Sequence, residues 1–349
     1  MPEREAFPDF LGNRQASETL AQMSGRERIP QTILLHGPEG VGKATLVRRF
    51  AASLIGGAER IEQDDLSLAH NVDFLAEREK LPPEKRSDDP LLFATHPDFV
   101  TFAPDGPLRQ ISIQQMRLLK ERAQFQPLAG QHRVFLIDGI DRANEQAANS
   151  LLKTLEEPPP YLILMMTAEN QYDLLPTIRS RSVPLRLGPL AEEEMKQFAR
   201  VRKLDDAELR IALAAGCPGQ AASIDLAAYR KRREAMQALL GAASGQRPFG
   251  EWARHSEKLA QARSEKLEPY LKVLYLLLSD LLHIREGFGD IRNPDQRAAL
   301  EPVARAVPFE WLRAAVQKTG ELLHLVRRNI QKNIALDALA IDLQSLLPR

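Results

Sequence analysis

At 349 residues the chain has room for two or three domains of roughly 150 residues each, which excludes a miniature disulfide-stapled scaffold. Its 47 lysines and arginines balance 47 aspartates and glutamates, so any nucleic-acid or membrane partner must be met by a local patch rather than by bulk charge. A single cysteine, Cys217, excludes an internal disulfide and a multi-thiolate zinc module, the seven histidines show no metal spacing, and no apolar run approaches ~18 residues. Residues 1–7 lack the basic start and apolar stretch of a signal peptide, so a soluble cytoplasmic protein is expected, with no membrane partner.

In chain order, short apolar runs at 32–36, 98–102, 133–137, 161–166 and 183–187 alternate with helical patterns. Such runs suit buried strands of a parallel sheet, each followed by a crossover helix, and five of them predict an α/β domain with helices on both faces of the sheet. Between the third and fourth runs, Ala148, Leu151, Leu152 and Leu155 recur at helical spacing until Pro158-Pro159-Pro160 stops the helix. The charged, proline-bearing stretch 77–89 is read as an exposed loop. After about residue 190 the strand signal ends, and a helical lid pausing at Gly216-Cys217-Pro218-Gly219 is expected over 188–240. The loop-like stretch 241–248 then leads into a last all-helical block, so the expected domains are 1–187, 188–240 and 241–349.

Gly37-Pro38-Glu39-Gly40-Val41-Gly42-Lys43 follows the first strand and opens a helix, the context a phosphate-binding loop requires. Gly37, Gly40 and Gly42 allow successive backbone N–H groups to turn toward an anion, and Lys43 adds a full charge to the helix N-terminus. The alternative is a glycine-rich turn with no ligand. Ala44 stands where a Mg²⁺-ligating hydroxyl is expected, and Thr45, the nearest hydroxyl, comes one residue late, a rotation of about 100° on a helix. At the end of the third run Asp138 is placed to hold Mg²⁺ or its water, or else to cap the following turn. Gly139 occupies the position of a water-orienting glutamate, whose loss removes much of a general-base contribution of roughly 10²–10⁴-fold.

Taken together, Phe10-Leu11-Gly12-Asn13, the glycine-rich loop, His96-Pro97-Asp98, the string from Asn144 to Pro159, the segment from Leu174 to Arg181, and Gly216–Gly219 resemble bacterial clamp-loader AAA+ subunits of the DNA polymerase III assembly. The likeness is close over 8–230 and loose beyond. It implies an AAA+ module with a lid, and a helical collar through which subunits join in a hetero-oligomeric ring. It also implies a sliding clamp and primer-template DNA as partners. Arg181, in Ser180-Arg181-Ser182, stands where the family carries an arginine finger acting on the neighbour's nucleotide; the alternative is a structural arginine paired with a local carboxylate. Ala44, Gly139 and Gln220, the last in place of a lid cation, imply a stator-like subunit that is itself neither a working ATPase nor a polymerase, with ATP or ADP held weakly if at all and Mg²⁺ uncertain. Residues 51–95 lack the four cysteines many relatives carry, so no zinc is expected. A hydrolytically active AAA+ ATPase, either a motor-type loader subunit or a helicase loader, is the alternative; a small-molecule kinase would leave Ser180-Arg181 and the helical tail without a use. Arg117, Lys120 and Arg122 could face DNA phosphates or simply be a solvated face. The stripe Leu322, Leu323, Val326, Ile330 and Ile334 fits either a bundle core or a collar contact.

Overall fold

The computed structural model describes residue 7 and residues 10–25, 29–261, 266–325 and 331–347. The chain forms two compact units, Met1–Val201 with Gly216–Ser223, and Arg202–Ala215 with Ile224–Arg349.

The first unit runs α1 (Arg14–Gly25), β1 (Thr32–His36), α2 (Lys43–Ile55), α3 (Ala58–Glu62), α4 (Ala69–Glu79), α5 (Pro83–Asp88), β2 (Phe99–Phe102), α6 (Ile113–Ala123), β3 (Arg133–Ile137), α7 (Glu145–Glu156), β4 (Leu162–Ala168), α8 (Pro176–Arg179), β5 (Val183–Arg186) and α9 (Glu192–Arg202). The strands form one parallel sheet in the order β2-β3-β4-β1-β5, which is the α/β architecture expected from the sequence. Because side chains alternate along a strand, β1–β4 each feed two cores, whereas β5, expected from its apolar run to be buried, is largely exposed and packs only Leu185 on one of them. Ile33, Leu35, Val134, Leu136, Ile163 and Met165 pack with Leu20 of α1 and Leu46, Val47 and Phe50 of α2. Leu34, Phe135, Ile137, Leu164 and Met166 pack on the other face with Met116 and Leu119 of α6 and Leu151 and Leu155 of α7. Local chemistry sets the helix starts: Ser112 and Gln115 form a reciprocal capping box at α6, and Asn144 accepts from the Ala147 N–H at α7.

Both edges of the sheet are modified. Phe93 exchanges two 2.8 Å backbone hydrogen bonds with Thr101, covering the outer side of β2. On β5 the Leu187 N–H donates to His36 O, so by alternation position 184 faces outward, and proline there has no N–H to offer.

The stretch 77–89 is not a loop. It comprises the end of α4 and all of α5, because Arg78 is buried and its guanidinium ties Asp105 at 2.7 Å and Asp89 at 3.1 Å. The hydrogen bonds that Arg78 donates to Asp105 raise its pKa, so this charge run is an internal clamp.

The second unit contains α10 (Ala207–Ala214), and after α11 (Pro218–Ser223) of the first unit it continues with α12 (Leu226–Ala243), α13 (Phe249–Gln261), α14 (Glu268–Arg285), α15 (Arg297–Ala306), α16 (Phe309–Leu325) and α17 (Lys332–Ser345). The first residues of the expected loop 241–248 belong to α12: Gly241, Ala242 and Ala243 are buried, and their small side chains let the helix run on until Ser244. Helix α14 buries Tyr270, Leu271, Val273, Leu274, Leu277, Leu278 and Leu281, the nearly all-round apolar surface of a central helix. Two buried tryptophans satisfy their ring N–H groups, Trp252 on Asp337 at 2.7 Å and Trp311 on Leu343 O at 2.8 Å. The predicted stripe divides between two helices: Leu322 packs on the core, Leu323 and Ile334 are exposed, and Val326 and Ile330 lie outside the described residues. Among the described residues no helix is long and apolar enough to cross a membrane.

Candidate phosphate-binding loop and arginine site

The loop 37–43 sits at the carboxyl end of β1, between the ends of β4 and β5, with the end of β3 one strand further along the sheet. Gly37 has φ 150°, and a Cβ there would lie 2.0 Å from Leu187 O, so no side chain fits. Gly42 caps α2 in the left-handed region, and Lys43 and Ala44 open the helix. The Lys43 ammonium donates to Gly37 O at 2.6 Å and Pro38 O at 2.8 Å. Burial lowers its pKa, against the opposing pull of Asp138, Glu169, Asp141 and Glu39.

Asp138 accepts a 2.6 Å hydrogen bond from the Thr167 hydroxyl, which in turn accepts from the Gly139 N–H at 2.8 Å. The carboxylate is therefore oriented across the sheet by β4 rather than capping its own turn. Thr167 was missed by sequence reasoning, although a lone hydroxyl in the apolar run Leu162–Ala168 was the available signal. Thr45 lies one step around α2 and is approached by the Arg48 guanidinium at 3.5 Å; Arg48 is itself buried against Glu62 and Asp65. Arg142, also not singled out from sequence, lies 3.4 Å from Glu169 and 3.6 Å from Glu39. Around Lys43 the carboxylates thus outnumber the cations.

Helix α11 closes one side of the loop. The Gly219 N–H donates to Gly40 O at 2.7 Å, and the Gln220 amide donates to Glu39 O at 2.9 Å. Gly40 has φ 78°, and a Cβ on it would meet Gln220 N and Cγ, each at 2.8 Å. Gln220 is thus beside the loop as a neutral donor. The geometry leaves Lys43 and the loop amides as the groups able to hold phosphates, with no hydroxyl from position 44 for a metal. Among the described residues no group of three His, Cys, Asp or Glu side chains is arranged to hold a metal ion.

Arg181 lies between α8 and β5. Its Nη2 donates to Glu156 Oε1 at 2.8 Å and its Nη1 to Thr177 O at 3.1 Å. The local carboxylate pairing weighed from the sequence is present, with the pair half-exposed. His96-Pro97-Asp98 acts structurally: His96 Nδ1 accepts from the Asp98 N–H, and the buried Asp98 carboxylate takes the N–H groups of Leu128 and Ala129. On α6, Arg117 is exposed and Lys120 and Arg122 are half-buried. Asn13 joins residues far apart in sequence, donating to Gly188 O at 3.0 Å and accepting from its N–H at 2.7 Å.

A family model for the DNA polymerase III delta subunit matches residues 12–191, and one for the C-terminal region of that subunit matches 228–344. The chain is similar to DNA polymerase III subunit delta' of Pseudomonas aeruginosa, 29% identical over 220 residues, 61% of each chain. To the subunit of the same name from Escherichia coli it is 28% identical over 235 residues, 66% of this chain and 67% of that one. The match thus spans about three fifths of the Pseudomonas relative's length. A solved structure of a gamma subunit-related protein from Thermotoga maritima superposes over 93% of this chain and 98% of that one, with 18% identity and a TM-score of 0.46.

Proposed function

Because the chain belongs to the DNA polymerase III delta subunit family, we propose that it serves as a stator-like, delta'-type subunit of a clamp loader. In this reading it joins other loader subunits in a hetero-oligomeric ring and helps place a sliding clamp on primer-template DNA. The observation that carries the reading is a division of labour between two sites. The chain's own phosphate loop has Ala44 for a metal-binding hydroxyl, Gly139 for a water-orienting carboxylate, and the neutral Gln220 against its rim. Yet the chain keeps Arg181, an always-charged planar donor, at a half-exposed position.

In the ring, the Arg181 guanidinium reaches the γ-phosphate held by an adjacent subunit and stabilises the charge that develops on it during transfer. Fingers supplied in this way are worth roughly 10³–10⁵ in turnover. The loop of this chain holds ATP or ADP weakly through Lys43 and the amides of Gly40 and Gly42, with little help from Mg²⁺. The isolated protein is expected to hydrolyse ATP at no more than a trace rate; robust turnover abolished by Lys43→Ala would instead make it a motor-type ATPase. A loader reconstituted with Arg181→Ala should assemble normally while neighbour hydrolysis and clamp loading both fall. Unchanged turnover in an intact ring would overturn the finger assignment.

A further inference from the structure

We infer that Glu156 is the positioning residue for Arg181, holding its guanidinium in the pose from which it serves the adjacent subunit; this rests on the finger reading above. Glu156 is the last residue of α7, whose end is set by the prolines at 158–160, and Arg181 follows α8. Both supports are anchored in one core: Leu155, beside Glu156, and Ile178, beside Thr177, are buried in the same cluster. The carboxylate and the Thr177 carbonyl engage different terminal nitrogens of Arg181, at 2.8 Å and 3.1 Å. Two bonds to separate nitrogens define the plane of the guanidinium. Of its five N–H groups, two are used and three remain for a phosphate.

The Thr177 carbonyl is one that the helix end leaves without a backbone partner and that accepts from both Arg181 and the Ser180 hydroxyl, the latter at 3.2 Å, so half of the mount is built from backbone. The other half is a carboxylate that also keeps a long side chain from sampling its other rotamers. Glu157, the next residue, is also an exposed carboxylate but makes no bond to Arg181, so it controls for charge alone. As an exposed ion pair, Arg181–Glu156 contributes little to folding, so its loss should leave the chain folded and the ring assembled.

The test uses the assembled loader with full-length chains carrying Arg181→Ala, Glu156→Gln, Glu156→Asp, Glu157→Gln, or Glu156→Gln with Arg181→Ala. Ring ATPase kcat and KM are read alongside assembly. Glu156→Gln should lower kcat roughly tenfold with KM for ATP unchanged, since nucleotide affinity belongs to the neighbour's own loop. Glu156→Asp should recover part of the loss, and Glu157→Gln should match wild type. The double variant should be no slower than Arg181→Ala alone, because Glu156 acts only through that arginine. If Arg181→Ala itself has no effect, the finger reading falls and this inference with it. If Arg181→Ala is slow but Glu156→Gln is unchanged or faster, or the two losses multiply, the finger stands and the positioning role is wrong.

Discussion

Replacing Gly40 by alanine tests whether the phosphate loop and α11 form one packed unit. The added methyl would lie 2.8 Å from both Gln220 N and Cγ, on a residue whose φ is 78°. A left-handed conformation costs an alanine about 1 kcal/mol more than a glycine, and overpacking against backbone adds roughly 1–3 kcal/mol. Relaxation does not escape the cost. If α11 withdrew, the Gly219 to Gly40 and Gln220 to Glu39 hydrogen bonds would break, at about 1 kcal/mol each, and the buried Ala221 and Cys217 would be disturbed. Either route destabilises the first unit by about 3 kcal/mol, a shift of roughly 6–12 °C in its Tm. Chemical and thermal denaturation would measure this, with amide exchange at 216–223 reporting which route is taken. Gly25→Ala is the control, since nothing lies within 4 Å of its Cβ position and it has no positive φ. A Gly40→Ala protein within about 0.5 kcal/mol of wild type would refute the packing argument.

In the helical unit, Asp337→Ala should destabilise by about 2–4 kcal/mol, because Trp252 Nε1 and Ser256 Oγ would both lose their acceptor inside the core; denaturation showing less than 1 kcal/mol would contradict this. Asp280→Ala should likewise cost roughly 2–4 kcal/mol in urea melts, since the N–H groups of Arg292 and Asn293 and the Asn293 amide all converge on that buried carboxylate; a neutral effect would mean the loop 289–296 repacks without it. For pH, burial acts to raise Asp295, but hydrogen bonds from Arg233 and Gln296 and the Arg233 charge outweigh it and hold the carboxyl below its ordinary range. A depressed acid contributes stability above its unfolded pKa and loses it as pH falls through the folded one, so acid should weaken this unit below the ordinary aspartate range. Burial pushes Asp280 the other way, against hydrogen bonds from Asn293 and Arg292, so its contribution is greatest at low pH and is lost as pH rises through the raised value. Asp295→Asn should therefore flatten the acid limb of stability against pH, and an unchanged slope would count against the assignment.

What the sequence disclosed was whatever repeats or clusters locally. The five strands announced themselves as short apolar runs, and the loop 37–43 carried its glycines and lysine within seven residues. Features made by folding were hidden. Thr167 meets Asp138 across 29 positions, Glu156 meets Arg181 across 25, and Gln220 reaches Glu39 across 181. No periodicity encodes such pairings. The misreading of 77–89 has the same origin: a run of charge looks solvated until Arg78 is seen bridging to Asp105, 27 residues away. The loop expected at 241–248 begins three residues later because glycine and alanine serve a tight helix packing as readily as a loop.

The treatment of the sheet edges bears on how this chain can keep company with others. An unguarded outer strand invites main-chain pairing with any extended peptide, an interaction indifferent to side-chain identity. Here Phe93 already occupies the outer rim of β2, and Pro184 withholds the donor that a newcomer to β5 would seek. Main-chain pairing is therefore blunted at both margins. On β5 the exposed side chains are Val183 and Arg186, with Arg181 two residues before the strand, so contact along that margin falls chiefly to side-chain chemistry.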